Sequence, residues 1–96
     1  MSKQGFIYIM TNKYNTVFYT GVTGNLVKRV WEHKNSIVGG FTQKYHVHKL
    51  VYCETFEEIE EAIAREKYIK GKKREYKRSL IEKTNPNYKD LCENVL

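Results

Sequence analysis

The sequence predicts an α+β domain: a three-stranded, mostly antiparallel sheet flanked by helices, in the order β-β-α-β-α-α. Three observations predict it. Two strand-like runs near the N-terminus are separated by turn residues, a third run follows at Lys49 to Cys53, and helical periodicity occupies much of the remainder. Such a mixture is satisfied by layers of sheet and helix around one core. With 96 residues, 41% of them hydrophobic, the chain can bury one core and has no room for a second, so a single domain over residues 1–96 is expected.

The elements are justified in order. Phe6-Ile7-Tyr8-Ile9-Met10 is a continuous apolar run, suited to a strand buried on both faces. Asn12-Lys13-Tyr14-Asn15 is turn chemistry, and Val17 to Val22 is β-branched and aromatic, giving a second strand antiparallel to the first. A four-residue loop sets Thr11 opposite Thr16, Met10 opposite Val17 and Tyr8 opposite Tyr19; a slip of one residue would put the tyrosines on opposite faces. Gly21 permits close approach of another backbone or a ligand, or a bulge.

Gly24 and Asn25 read as a turn and a helix N-cap. The helix from Leu26 to Asn35 is expected to bury Leu26, Val27, Val30 and Trp31, with Arg29 and His33 sharing its edge at i, i+4. The stretch around Gly39-Gly40 is too glycine-rich for regular structure. His46 and His48, on one strand face, have metal-like spacing but no third ligand nearby, and lysines flank them. A helix from Thr55 to Gly71 has Phe56, Ile59, Ala62, Ile63 and Ile69 as its apolar stripe. Gly71 ends it, and a basic helix from Lys73 to Lys83 stops at Asn85-Pro86.

Glu66 breaks this pattern. It lies seven residues after Ile59, four after Ala62 and three before Ile69, near the centre of the stripe. A carboxylate there needs a cation, hydrogen-bond donors or a metal, because an unpaired buried charge is strongly disfavoured.

The remaining totals narrow the partners. Lys and Arg outnumber Asp and Glu by 17 to 11, a net charge of +6, which suits a polyanion such as nucleic acid. The segment from Lys67 to Arg78 concentrates that charge, with Lys67, Lys70, Lys72, Lys73 and Arg74 as candidate phosphate contacts; a solvated helix surface is the competing explanation. No apolar run approaches the ~20 residues that span a bilayer, and the N-terminal residues lack a signal-peptide layout. No membrane partner and a cytoplasmic location are expected. Cys53 and Cys92 are far apart and expected to be reduced thiols.

Taken together, these residues resemble the GIY-YIG nuclease family. Its two tripeptides stand here as Phe6-Ile7-Tyr8 and Tyr19-Thr20-Gly21. Asn25-Leu26-Val27-Lys28-Arg29 with His33 resembles the family's first helix, and Ala64-Arg65-Glu66-Lys67 resembles the segment carrying its metal-binding glutamate. Gly40-Phe41-Thr42, Lys49-Leu50-Val51-Tyr52 and the Asn85-Pro86 region look like the small stand-alone bacterial members. Phe6 and Thr20 depart from the tripeptide pattern, and Val22 stands where some relatives place a lysine. The family's late asparagine has three candidates, Asn85, Asn87 and Asn94.

The resemblance implies metal-dependent endonucleolytic cleavage of nucleic acid, DNA ahead of RNA, with structure-directed or weak sequence selectivity and a role in repair or recombination. Target recognition could come from a protein partner; the oligomeric state stays open. Glu66 would hold one Mg²⁺ or Mn²⁺, since a single carboxylate suffices when water and phosphate complete the octahedron. Arg29 would donate to phosphate oxygens. Tyr19 would be the general base, which for a phenol of ordinary pKa ~10 demands nearby positive charge. Tyr8 would position water or support Tyr19, and His33 would assist proton transfer or contact phosphate. Two other readings compete: a nucleic-acid-binding module with weak or lost nuclease activity, and an interaction domain in which Glu66 merely pairs with Arg29 or a lysine.

Overall fold

The computed structural model describes residues 3–35, 37 and 40–92. Its elements are β1 (Gly5–Thr11), β2 (Phe18–Thr23), α1 (Leu26–Lys34), α2 (Phe41–Lys44), β3 (Lys49–Phe56), α3 (Ile59–Lys70) and α4 (Arg74–Thr84). The sheet order is β2-β1-β3 and both pairings are antiparallel. The central strand is β1, as its unbroken apolar run requires. Ile7 and Ile9 face Ala62 and Ile69 of α3 and Ile81 of α4, whereas Tyr8 and Met10 face Val30 of α1, Val47 and Cys92. A bulge in β3, opposite Ile9 and Met10, turns both Val51 and Tyr52 toward the α3 side.

The β1–β2 hairpin differs from the expected register by two residues: Met10 pairs with Tyr19, Tyr8 with Gly21 and Thr11 with Phe18. The cause is Asn12. Its Oδ1 accepts from the backbone N–H groups of Thr16 (2.8 Å) and Val17 (3.2 Å), so these residues close the loop instead of joining the ladder. A slip of two preserves sidedness, so Tyr8 and Tyr19 still share a face.

Three helical expectations are corrected. In α1, Val27 and Trp31 are 52% and 47% exposed; the helix turns Leu26, Val30 and His33 inward, and the two apolar residues fall about 100° around its axis. Asn25 does cap it, accepting from the Lys28 N–H at 3.1 Å. The Glu66 helix starts at Ile59, because Thr55 and Phe56 extend β3 and pair with Phe6 and Gly5; Ile63 is exposed. Residues 41–44, expected to be irregular, form the short α2 after Gly40, whose φ of +77° only glycine adopts readily. Gly39 and Asn94 lie outside the described residues.

His46 and His48 do not share a strand face. They precede β3, and His46 has a left-handed φ of 55°. Their rings meet edge-on at 6.1 Å, and among the described residues no group of three or more His, Cys, Asp or Glu side chains is placed to hold a metal ion. Asn85 serves the scaffold, its Nδ2 donating to the carbonyls of Val51 (3.2 Å) and Lys89 (2.8 Å), while Asn87 is exposed. No helix among the described residues is long and apolar enough to cross a membrane.

Candidate active site

The site is built outward from Tyr8, which is buried in the middle of β1. Its ring lies across β2 at Gly21, where an added Cβ would sit 2.4 Å from the Tyr8 Cζ and hydroxyl oxygen. The group that approaches Gly21 is therefore a side chain, where a backbone or a ligand was expected, and any other residue there would displace it. From α1, His33 brings Nε2 to 3.1 Å from the Tyr8 hydroxyl. Tyr19 completes a three-ring cluster, with centroids 6.2 Å from Tyr8 and 5.4 Å from His33.

The protonation states differ among these groups. Burial drives the Tyr8 hydroxyl well above the ordinary phenol range; Tyr19 and Glu66 reinforce this, and Arg29 opposes it. Tyr8 is thus a neutral phenol at every physiological pH. Burial also lowers the pKa of His33, helped by the positive fields of Arg29 and His48 and opposed by Glu32. His33 is therefore mostly neutral near pH 7, so one ring nitrogen donates and the other accepts. Its Nδ1 is buried with no hydrogen-bond partner among the described residues.

Charges surround the rings. Arg29 is partly exposed, lies 3.8 Å from Glu32 and borders a groove of about 410 Å³ with Lys3 and Lys28. Glu66 has a side chain only 14% exposed, and Lys70, one helical turn on, pairs with it at 3.2 Å. The Lys70 ammonium also stands 5.9 Å from the centre of the Tyr19 ring. Lys70, expected as a phosphate contact, thus also meets Glu66 and Tyr19; its i, i+4 spacing from Glu66 was the available signal. Val22 packs on the opposite sheet face against the α3 side of the core, and Lys70 supplies a cation at Tyr19.

His33 and Tyr19 thus meet Tyr8 directly, and the charges of Arg29 and Glu66 are near enough to act on its hydroxyl. The other basic candidates do not enter that cluster. Lys72 covers the rings of Tyr68 (4.5 Å) and Tyr76 (5.9 Å), while Arg74 lies over Phe18 and donates to the Thr16 carbonyl. Lys67 and Lys73 are exposed.

The donor set suits some metals and not others. A lone carboxylate on a rigid helix fits a hard, oxygen-ligated divalent ion that keeps most of its waters; it does not fit a structural zinc site, which needs about four nitrogen or sulfur ligands.

Comparisons with known proteins bear on the family and the fold. Residues 4–88 match the family model described as the GIY-YIG catalytic domain. A UPF0213 protein of Clostridium perfringens is 42% identical over 76 residues, covering 79% of this chain and 81% of that protein. A UPF0213 protein of Desulfotalea psychrophila is 34% identical over 84 residues, 86% of this chain and 76% of the relative. The solution NMR structure of a UPF0213 protein from Bacillus halodurans shares the fold, with a TM-score of 0.58 and 23% identity over 97% of this chain and 99% of that one.

Proposed function

Since the chain belongs to the GIY-YIG catalytic-domain family, whose domain is of nuclease type and typically uses a divalent metal ion, we propose that it is a metal-dependent endonuclease hydrolysing DNA phosphodiester bonds. Selection of the target by DNA structure or by a protein partner is part of this proposal. The observation that carries the reading is the cluster of Tyr8, Tyr19 and His33, with Arg29 and Glu66 near enough for their charges to act on the Tyr8 hydroxyl.

Each residue has a task. Tyr19, with Lys70 over its ring, takes a proton from the attacking water as that water's oxygen bonds to phosphorus; the bond from phosphorus to the leaving sugar oxygen breaks, and that oxygen takes up a proton from solvent. Tyr8, held neutral by burial, keeps its proton and fixes the geometry of Tyr19 and His33. Neutral His33 anchors the Tyr8 hydroxyl. Arg29 donates to non-bridging phosphate oxygens, where negative charge builds. Glu66 would hold the divalent ion, Mg²⁺ or Mn²⁺, which when bound neutralises charge on the phosphate and on the leaving oxygen.

A second reading, a nucleic-acid-binding module with weak or lost activity, draws on the Glu66–Lys70 pair. A carboxylate already neutralised by its own helix offers less charge to a metal. Duplex, nicked, flapped, branched and single-stranded DNA, incubated with Mg²⁺ or Mn²⁺, separate the two. The nuclease reading expects cleavage of at least one substrate by the native chain and none by Glu66→Ala. Equal cleavage by both proteins overturns it, and salt-sensitive binding without any cutting establishes the module.

A further inference from the structure

A cavity of about 560 Å³ opens at the hairpin end of the sheet, outside the Tyr8–Glu66 cluster. That volume is in the range of small-ligand sites, roughly 300–1,000 Å³. Its wall combines lysines with aromatic rings: Lys13 and Tyr14 from the hairpin loop, Tyr45 from the turn after α2, and Lys49 at the start of β3. The lining acid, Asp90, is paired with Lys34, which also donates to the His48 carbonyl at 3.1 Å. Lys49 donates to the neutral amide oxygen of Asn15 at 2.6 Å, and Lys13 stands 5.8 Å from the centre of the Tyr14 ring. Neither lysine forms an ion pair among the described residues, so the wall is net positive.

Tyr14 is 74% exposed and contributes nothing to the core. A small inorganic anion would use the lysines alone, and an apolar ligand the rings alone. A nucleotide uses both, its base stacking on an aromatic face while its phosphate meets an ammonium. Bases inside a duplex are already stacked and present only edges, so an open aromatic and cationic wall favours unpaired nucleotides.

The cavity adjoins the candidate active site. Lys34 follows His33 on α1, and His48 is near enough for its charge to act on His33. Lys49 pairs with Thr11, three residues along β1 from Tyr8, roughly 10 Å away. We propose that the cavity holds an unpaired nucleotide of the strand that the cluster cuts, with its base on Tyr14 or Tyr45 and its phosphate at Lys13 or Lys49. This rests on the nuclease reading and supplies its substrate class: DNA in which a duplex meets a single strand.

The test is a titration of the isotope-labelled native chain, in EDTA, with an eight-residue oligothymidylate and separately with a blunt hairpin duplex, followed by amide chemical shifts. Amides of residues 12–14 and 45–49 are expected to move with the single strand. Tyr14→Ala and Tyr45→Ala should each lower the ratio of single-strand to duplex affinity about 5- to 10-fold, and Tyr14→Phe should retain it. Both tyrosines are exposed, and the variants' own amide spectra verify folding. Shifts confined to the surroundings of Arg29 and Glu66, or equal shifts with both probes, overturn the cavity. The Mg²⁺ cleavage panel, run on the same proteins in buffer without EDTA, tests the nuclease reading by itself.

Discussion

Arg65 and Glu66 are consecutive on α3, yet they enter two differently constructed ion pairs. Arg65 grips Glu54 of β3 through Nε (3.0 Å) and Nη2 (3.1 Å), and Tyr52 donates to the same carboxylate. Burial pushes the Glu54 pKa up, but the hydrogen bonds from Arg65 and Tyr52 outweigh it and hold the carboxyl below the usual range. That network is closed, every strong donor meeting an acceptor. Glu66 is less exposed than either member of it, and among the described residues it pairs with one ammonium on a half-solvated lysine. A shielded carboxylate held by a single displaceable cation contributes little to stability and leaves oxygens available to a ligand. On the proposed reading, the neighbouring pairs divide between one that holds the fold and one whose carboxylate would meet a divalent ion.

Removing Glu66 should break this contrast most visibly. Glu66→Ala is expected to lower metal-dependent cleavage by at least about 10²–10³-fold, while urea unfolding changes by no more than ~1 kcal/mol. A large stability loss would make Glu66 a second Glu54. Gly21→Ala comes next, because a Cβ 2.4 Å from the Tyr8 ring must push that ring off His33. It should cost about 1–3 kcal/mol of stability and also reduce cleavage per folded molecule. Arg65→Ala should move stability alone, by about 1–3 kcal/mol, since a partly buried carboxylate loses its bidentate partner. Cleavage normalised to folded protein should be unchanged; a parallel fall would mean that the Glu54 network also positions the site.

Most of the candidate site was legible in the residues because it rests on properties that survive local error. Tyr8 and Tyr19 were expected to share a face, and do, although the register moved by two, since side-chain direction repeats every second residue. Glu66 was legible because a carboxylate interrupting an apolar stripe stays interior wherever the helix begins. The misses came from interactions that local pattern does not encode. Asn12 spends its side chain on the loop backbone, which lengthened the hairpin. Which side of α1 meets the sheet was set by the Tyr8–His33 hydrogen bond and by Val30, not by hydrophobicity, leaving Val27 and Trp31 outside. Lys70 was assigned to the surface by its charge, and its contact with Tyr19 depends on how α3 meets β2.

The smallest effect separates the two regions by pH. His33 has a folded pKa below its ordinary 6.5. The unfolded chain therefore binds the proton more readily, and stability contributed by neutral His33 is present above pH ~6.5 and lost as pH falls from there toward the folded pKa. Glu54 has a folded pKa below its ordinary 4.5, so its contribution is present above that value and is lost as pH falls through the folded one. Denaturant midpoints measured from pH 8 to pH 3 should fall in two windows. His33→Gln should flatten the slope just below pH ~6.5 and leave the acid limb, and Arg65→Ala should weaken the acid limb and leave the upper one. A single limb abolished by either substitution would join the regions into one network, with the Tyr8 cluster then as structural as the Glu54 pair.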